Sequence, residues 1–150
     1  MNEILRRRRA LMGAAQPKTV FSTNTSAYQF GSIAIAGHAS QGMCAVGTNL
    51  YYAAISKDAT QQYLYKLDLL TNAQALISTH SAANENDLGH ANSMTYNPNT
   101  GYLYIVVMDG TGKIAEVDPA DGTLISYKNI TKPDGTNHNA TNIAFDRKRN

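Results

Sequence analysis

The sequence predicts an all-β chain assembled from repeated four-stranded antiparallel units, and three observations carry that expectation. Gly-His-Ala stands at 37–39 and again at 89–91, each time ahead of a small alternating strand and an aromatic one. The segments that follow correspond at an offset of about fifty residues throughout, the size of one four-stranded repeat. Only 16% of the residues are charged, while Asn, Thr, Ser, Gly and Tyr are plentiful; such a composition suits short strands and many turns better than charge-laced helices.

Residues 1–16 read as a basic amphipathic helix. Ile4, Leu5, Leu11 and Met12 fall along one face, and Arg6 to Arg9 occupy much of the remainder. Too short to be stable alone, this helix is either a solvated terminus or an element that docks on another subunit. Pro17 ends it, and residues 17–36 form a Ser/Thr/Asn-rich linker and a first strand, FGSIAIAG from Phe30.

From residue 37 the repeat sets the elements. Met43 to Val46 corresponds to Met94 to Tyr96 and then to Ile143 to Phe145. LYYAAI from Leu50 matches YLYIVV from Tyr102. YLYKLDLLT from Tyr63 matches KIAEVDPADG from Lys113, and ALIS from Ala75 matches TLIS from Thr123. Turn chemistry separates the strands: Asn97-Pro-Asn-Thr-Gly101, Asp109-Gly110 and Asp118-Pro-Ala-Asp-Gly122 each supply a glycine for positive φ or an Asp or Asn side chain that closes a turn. A four-stranded meander cannot bury both faces by itself, so the units are expected to stack.

The stretch MTYNPNTGYLYIVVMDGTGKIAEVDPADGTLIS, Met94 to Ser126, resembles a blade of the propellers that include the YVTN and NHL repeat families. That resemblance implies a partial β-propeller of four-stranded antiparallel blades behind a short N-terminal helix, with residues 37–150 supplying about two blades and the first strand of a third. A closed ring needs at least about four blades, so the chain is expected to be the N-terminal part of a longer protein; a complete small β-sandwich is the alternative. The resemblance leaves activity open, because these propellers host binding proteins and enzymes alike.

Charge and cysteine narrow the function classes. Between Phe21 and Phe145 stand five Lys against nine Asp and Glu, a balance of 5 − 9 = −4, so the net charge of +2 belongs to the two ends. An acidic body argues against a nucleic-acid partner. No run is long enough for a membrane span, and Ala10 to Ala15 is too short for a secretion signal. Cys44, the single cysteine, allows no intrachain disulfide and reads as a small core residue.

Chemistry is sparse. His38 and His90 share the entry position of their units, and Asn139 holds it in the third, with His138 beside it and Asn92 and Asn142 two and three positions farther along their frames. Repeat-equivalent residues at that place form a rim, so His38, His90, Asn92, His138, Asn139 and Asn142 are candidate ligand-binding residues. The competing reading has each histidine packed between units and bonded to neighbouring backbone. His80 alone stands outside this frame. Asp109-Gly-Thr-Gly and Asp118-x-x-Asp121-Gly lack the spacing of a calcium loop, and no phosphate cradle, nucleophile elbow or carboxylate pair is evident, so no catalytic residue, metal site or cofactor is expected. The Tyr51-Tyr52, Tyr63/Tyr65 and Tyr102/Tyr104 pairs are read as packing between units.

The opening MNEILRRRRALMGA resembles the N-termini of tail and baseplate-region proteins of phages and prophages of Gram-positive gut bacteria. The expectation is therefore a non-catalytic recognition or adhesion protein of a phage tail or cell surface. Its N-terminal helix would attach to a structural partner and its body would bind a glycan or protein ligand, in the virion or, before assembly, in the host cytoplasm. The alternative is a propeller hydrolase or lyase acting on a polysaccharide or lactone, with catalytic groups partly outside this chain.

Overall fold

The computed structural model describes residues 39–83, 87–107 and 112–146, and these form eight strands in two four-stranded antiparallel sheets. The first sheet holds β1 (Ala39–Val46), β2 (Asn49–Ile55), β3 (Gln61–Asp68) and β4 (Gln74–Ser81). The second holds β5 (Ser93–Asn97), β6 (Tyr102–Val106), β7 (Lys113–Val117) and β8 (Leu124–Asn129), and in both the spatial order follows the chain.

Short polar turns set this meander. Between β3 and β4, Asp68 Oδ1 accepts the amides of Leu70 and Thr71 at 2.8 and 3.0 Å. Between β7 and β8, Asp118 Oδ1 accepts from Ala120 at 2.8 Å. Each turn finishes with a residue at positive φ whose amide returns to the same aspartate's carbonyl, Asn72 (58°) in the first and Gly122 (75°) in the second. These side-chain turns fix the hairpins locally.

Register then sorts the side chains. Cys44 pairs with Tyr51, and Ala53 with Leu64, so they share the face of the first sheet that meets the second. Opposite them lie Met94, Leu103, Ile105, Ala115 and Val117, with Leu88 and Ala91 from the connection filling between, in one continuous apolar cluster. Each fully buried leucine here contributes about 1.5–3 kcal/mol, which is why both meanders commit to a common core. The two units meet backbone to backbone at Gly42, whose amide donates to Ala91 O at 2.9 Å. A Cβ there would sit 2.8 Å from the Ala91 oxygen and 2.9 Å from the Met94 nitrogen. On the far face of the first sheet Tyr52 stacks on Tyr65, ring centroids 5.1 Å apart.

The expectation of a partial β-propeller behind a helix is corrected here. The described residues hold no helix and no closed ring of sheets: two sheets bury their apolar faces against one another, whereas a ring needs about four. Ile143–Phe145, expected as the opening strand of a third unit, has no strand partner among the described residues. Its amides go instead to side-chain oxygens of β5, Ile143 to Ser93 Oγ and Phe145 to Thr95 Oγ1, both at 3.2 Å. The expected helix at 1–16, the linker and strand at 17–36 and the Asp109-Gly110 turn lie outside the described residues.

Candidate functional site

The repeated Gly-His-Ala motif lies wholly within the described residues in its second copy. Gly89 has φ 53° and lies against Val107, whose carbonyl oxygen would be 2.5 Å from an added Cβ; only glycine fits. Ala91 is wholly buried at φ 48°. Between them His90 is exposed, and its amide donates to Val107 O at 3.0 Å. The motif therefore encodes a turn and a packing contact, with its histidine on the surface. Besides the Gly42–Ala91 bond, buried Gln62 ties the first sheet to this connection. In the amide orientation that satisfies both ends, its oxygen accepts from Ala54 N at 3.0 Å and its nitrogen donates to Gly89 O at 3.3 Å.

The other residues anticipated at this rim are dispersed. His38 lies outside the described residues. His138 and Asn139 are exposed beyond the Thr131–Asn137 bridge. A backbone chain from His90 through Val107, Lys113, Gly112 and Ile130 ends at the His138 amide, placing both histidines at one end of the second sheet. Asn92 is half-buried; Asn142 is exposed and bonded to Thr141 Oγ1 at 3.4 Å. No group of three or more His, Cys, Asp or Glu side chains among the described residues is arranged to hold a metal ion. Cys44 packs against the common core, and burial pushes its thiol up to about 11, so it stays protonated at neutral pH and is a poor nucleophile.

The ordered polar cluster is elsewhere, at the end of β4, on the one histidine outside the repeat frame. Period-2 alternation puts Ser78 and His80 on the same face of the strand. His80 Nδ1 lies 2.7 Å from Asp87 Oδ1, and because a carboxylate only accepts, Nδ1 carries the proton. His80 Nε2 lies 2.8 Å from Ser78 Oγ. Asp87 is held on three further sides. Its Oδ2 accepts from Ser81 N at 2.7 Å and its Oδ1 from Leu88 N at 2.9 Å, while its backbone carbonyl accepts from Tyr127 Oη of β8 at 3.1 Å. The His80 side chain is 10% exposed and that of Asp87 23%.

A cleft of about 420 Å³ opens over this cluster, lined by Thr60, Gln61, Thr79, His80, Ser81 and Asp87. Every one of these side chains is a hydrogen-bonding group. The Gln61 carboxamide is ordered by Tyr63 Oη, which donates to its oxygen at 2.5 Å. Ser78 is not among the lining residues. It lies beneath the β7–β8 turn, where a Cβ on Gly122 would fall 2.0 Å from its Oγ. The order serine–histidine–aspartate is that of an acyl-transfer relay, but this hydroxyl is roofed by backbone, and the relay fastens β4 to the second sheet. What reaches the cleft is one edge of an oriented imidazole, a fixed carboxylate, three hydroxyls and an amide.

The sequence contained the signal for this cluster, a Ser-x-His at strand spacing followed seven residues later by Asp. The second unit carries no counterpart of that pattern, so repetition does not mark it: Ser126 aligns with Ser78, and Lys128 stands where histidine would. Compared with protein-family models, characterised proteins and solved structures, the chain matches none.

Proposed function

We propose that this chain is a non-catalytic recognition module that binds a polyhydroxylated ligand, a glycan, in the cleft at the end of β4. The observation that carries the reading is the make-up of that cleft, in which every lining side chain carries a group able to donate or accept a hydrogen bond. Sugar hydroxyls both donate and accept, so they match Thr60, Thr79, Ser81 and Gln61, while Asp87 offers a charge-assisted acceptor. Attachment of the module to a phage-tail or cell-surface structural partner through residues 1–16 belongs to the same proposal.

The relay Ser78–His80–Asp87 favours a second reading, hydrolysis of an ester or lactone. One experiment separates them. Saturation-transfer NMR against a panel of bacterial surface oligosaccharides is expected to show binding without product release, and Thr79→Val is expected to weaken it about 2- to 10-fold, the value of one neutral hydrogen bond. Turnover of an activated ester that Ser78→Ala abolishes would establish the hydrolase instead. No binding across the panel by a folded chain would remove the recognition reading.

A further inference from the structure

We propose that the cleft at the end of β4 selects a cationic glycan, one whose sugar carries a free amine, with Asp87 as the counter-ion of the ammonium. This rests on the reading of the cleft as a glycan site and adds the charge of its ligand. Of the six lining residues Thr60, Gln61, Thr79 and Ser81 are neutral, Asp87 is a carboxylate, and none is a lysine or arginine. His80 needs no charge to satisfy its contacts: Nδ1–H donates to Asp87 and Nε2 accepts from Ser78 Oγ. The wall therefore carries a negative charge without a cation of its own.

A carboxylate offers about four lone-pair positions. Asp87 Oδ1 uses two, on His80 Nδ1 at 2.7 Å and Leu88 N at 2.9 Å, and Oδ2 uses one, on Ser81 N at 2.7 Å. Among the described residues no donor takes the fourth, and the side chain is 23% exposed where it lines the cleft. Two amides and an imidazole N–H fix the direction of the carboxylate without cancelling its charge. An ammonium meeting it forms a bond charged on both sides, roughly twice as strong as a neutral one, and a concave wall of one sign strengthens the attraction. Asp58 adds charge of that sign one hydrogen bond from the wall, its Oδ1 accepting from Thr60 N at 3.2 Å. Bonds from Ser56 and then Thr60 hold its pKa below the ordinary carboxylate value, so it is ionised at neutral pH. Lys57, in the same turn, forms no ion pair with either carboxylate among the described residues. Lys113 Nζ lies over the Tyr127 ring, 5.4 Å from its centroid, and does not line the cleft.

The test is a set of amide NMR titrations of the whole chain at neutral pH with three oligosaccharides of equal length: an oligo-glucosamine, its N-acetylated form and an oligo-uronate. The amine form is expected to bind about tenfold more tightly than the N-acetylated one, with shifts at Thr60, Gln61, Thr79 and Asp87, and the uronate is expected to bind most weakly. Raising the salt from about 0.05 to about 0.5 M is expected to shrink the amine preference about threefold. Asp87→Asn is expected to bring the preference close to one; the salt series on the wild type carries the test if that variant does not fold. Equal affinity for the amine and N-acetylated forms, with the cleft responding to both, overturns the charge selection and leaves the recognition reading standing. Tighter binding of the uronate overturns it as well, and so does an amine preference whose shifts lie outside the cleft, because the acidic body rather than Asp87 would then be the attractor. No response to any of the three overturns this inference, and the wider panel then decides the glycan reading.

Discussion

Glu116 shows what one residue in these sheets must arrange to be buried. Its carboxylate, on β7, accepts from Ser126 Oγ on the neighbouring strand and lies 3.3 Å from Lys128 Nζ. The Ser126 hydroxyl first, then Tyr104 and Lys128, hold its pKa below the ordinary carboxylate value. A depressed value means that the charged form is preferred in the folded state, so the associated stability is present above the usual glutamate pKa of about 4.3 and is lost as pH falls through the lower folded value. Asp58, Asp68, Asp121 and Asp134 are lowered in the same direction by hydrogen bonds from their own turns. The thermal midpoint is therefore expected to fall as pH drops from about 5 towards 3, and Glu116→Gln is expected to flatten part of that fall. Midpoints across that range, wild type against variant, check it; equal slopes would mean that Glu116 gains nothing from its partners.

Among elements, the strands and turns were legible because their signals are local. Alternation, Asp-led turns and a glycine or asparagine at positive φ recur fifty residues apart, and each is decided by its own few residues. How the sheets stack is decided by distant pairs. Gly42 illustrates this, since its sequence neighbours give no hint that the Ala91 carbonyl and the backbone of Ser93 and Met94 lie against it. The propeller expectation rested on extending local likeness to a ring, and the common core of two sheets is what the register yields among the described residues. Gly42→Ala puts a methyl group against backbone, which cannot step aside as a side-chain tip would. It is expected to cost about 1–3 kcal/mol, read as a lower midpoint in urea with an unchanged slope. A neutral outcome would show that the β1–β5 junction has slack.

At the scale of the whole molecule, the candidate site was not legible from repetition. His38 and His90 recur, yet the recurrence around His90 follows from the demands of Gly89 and Ala91, which must turn and pack. The cluster that organises a cleft is the one that breaks the repeat: Ser78, His80 and Asp87 join the edge of the first sheet to Tyr127 of the second. Shared architecture is written at repeated positions, and a ligand site on it draws on residues that only one unit carries. The most direct measurement is a two-dimensional amide NMR titration of the chain with the oligosaccharide that binds best. Shifts concentrated at Thr60, Gln61, Thr79, Ser81 and Asp87 are expected; shifts at His90, His138, Asn139 and Asn142 with the cleft silent would contradict the assignment of the cleft as the binding site.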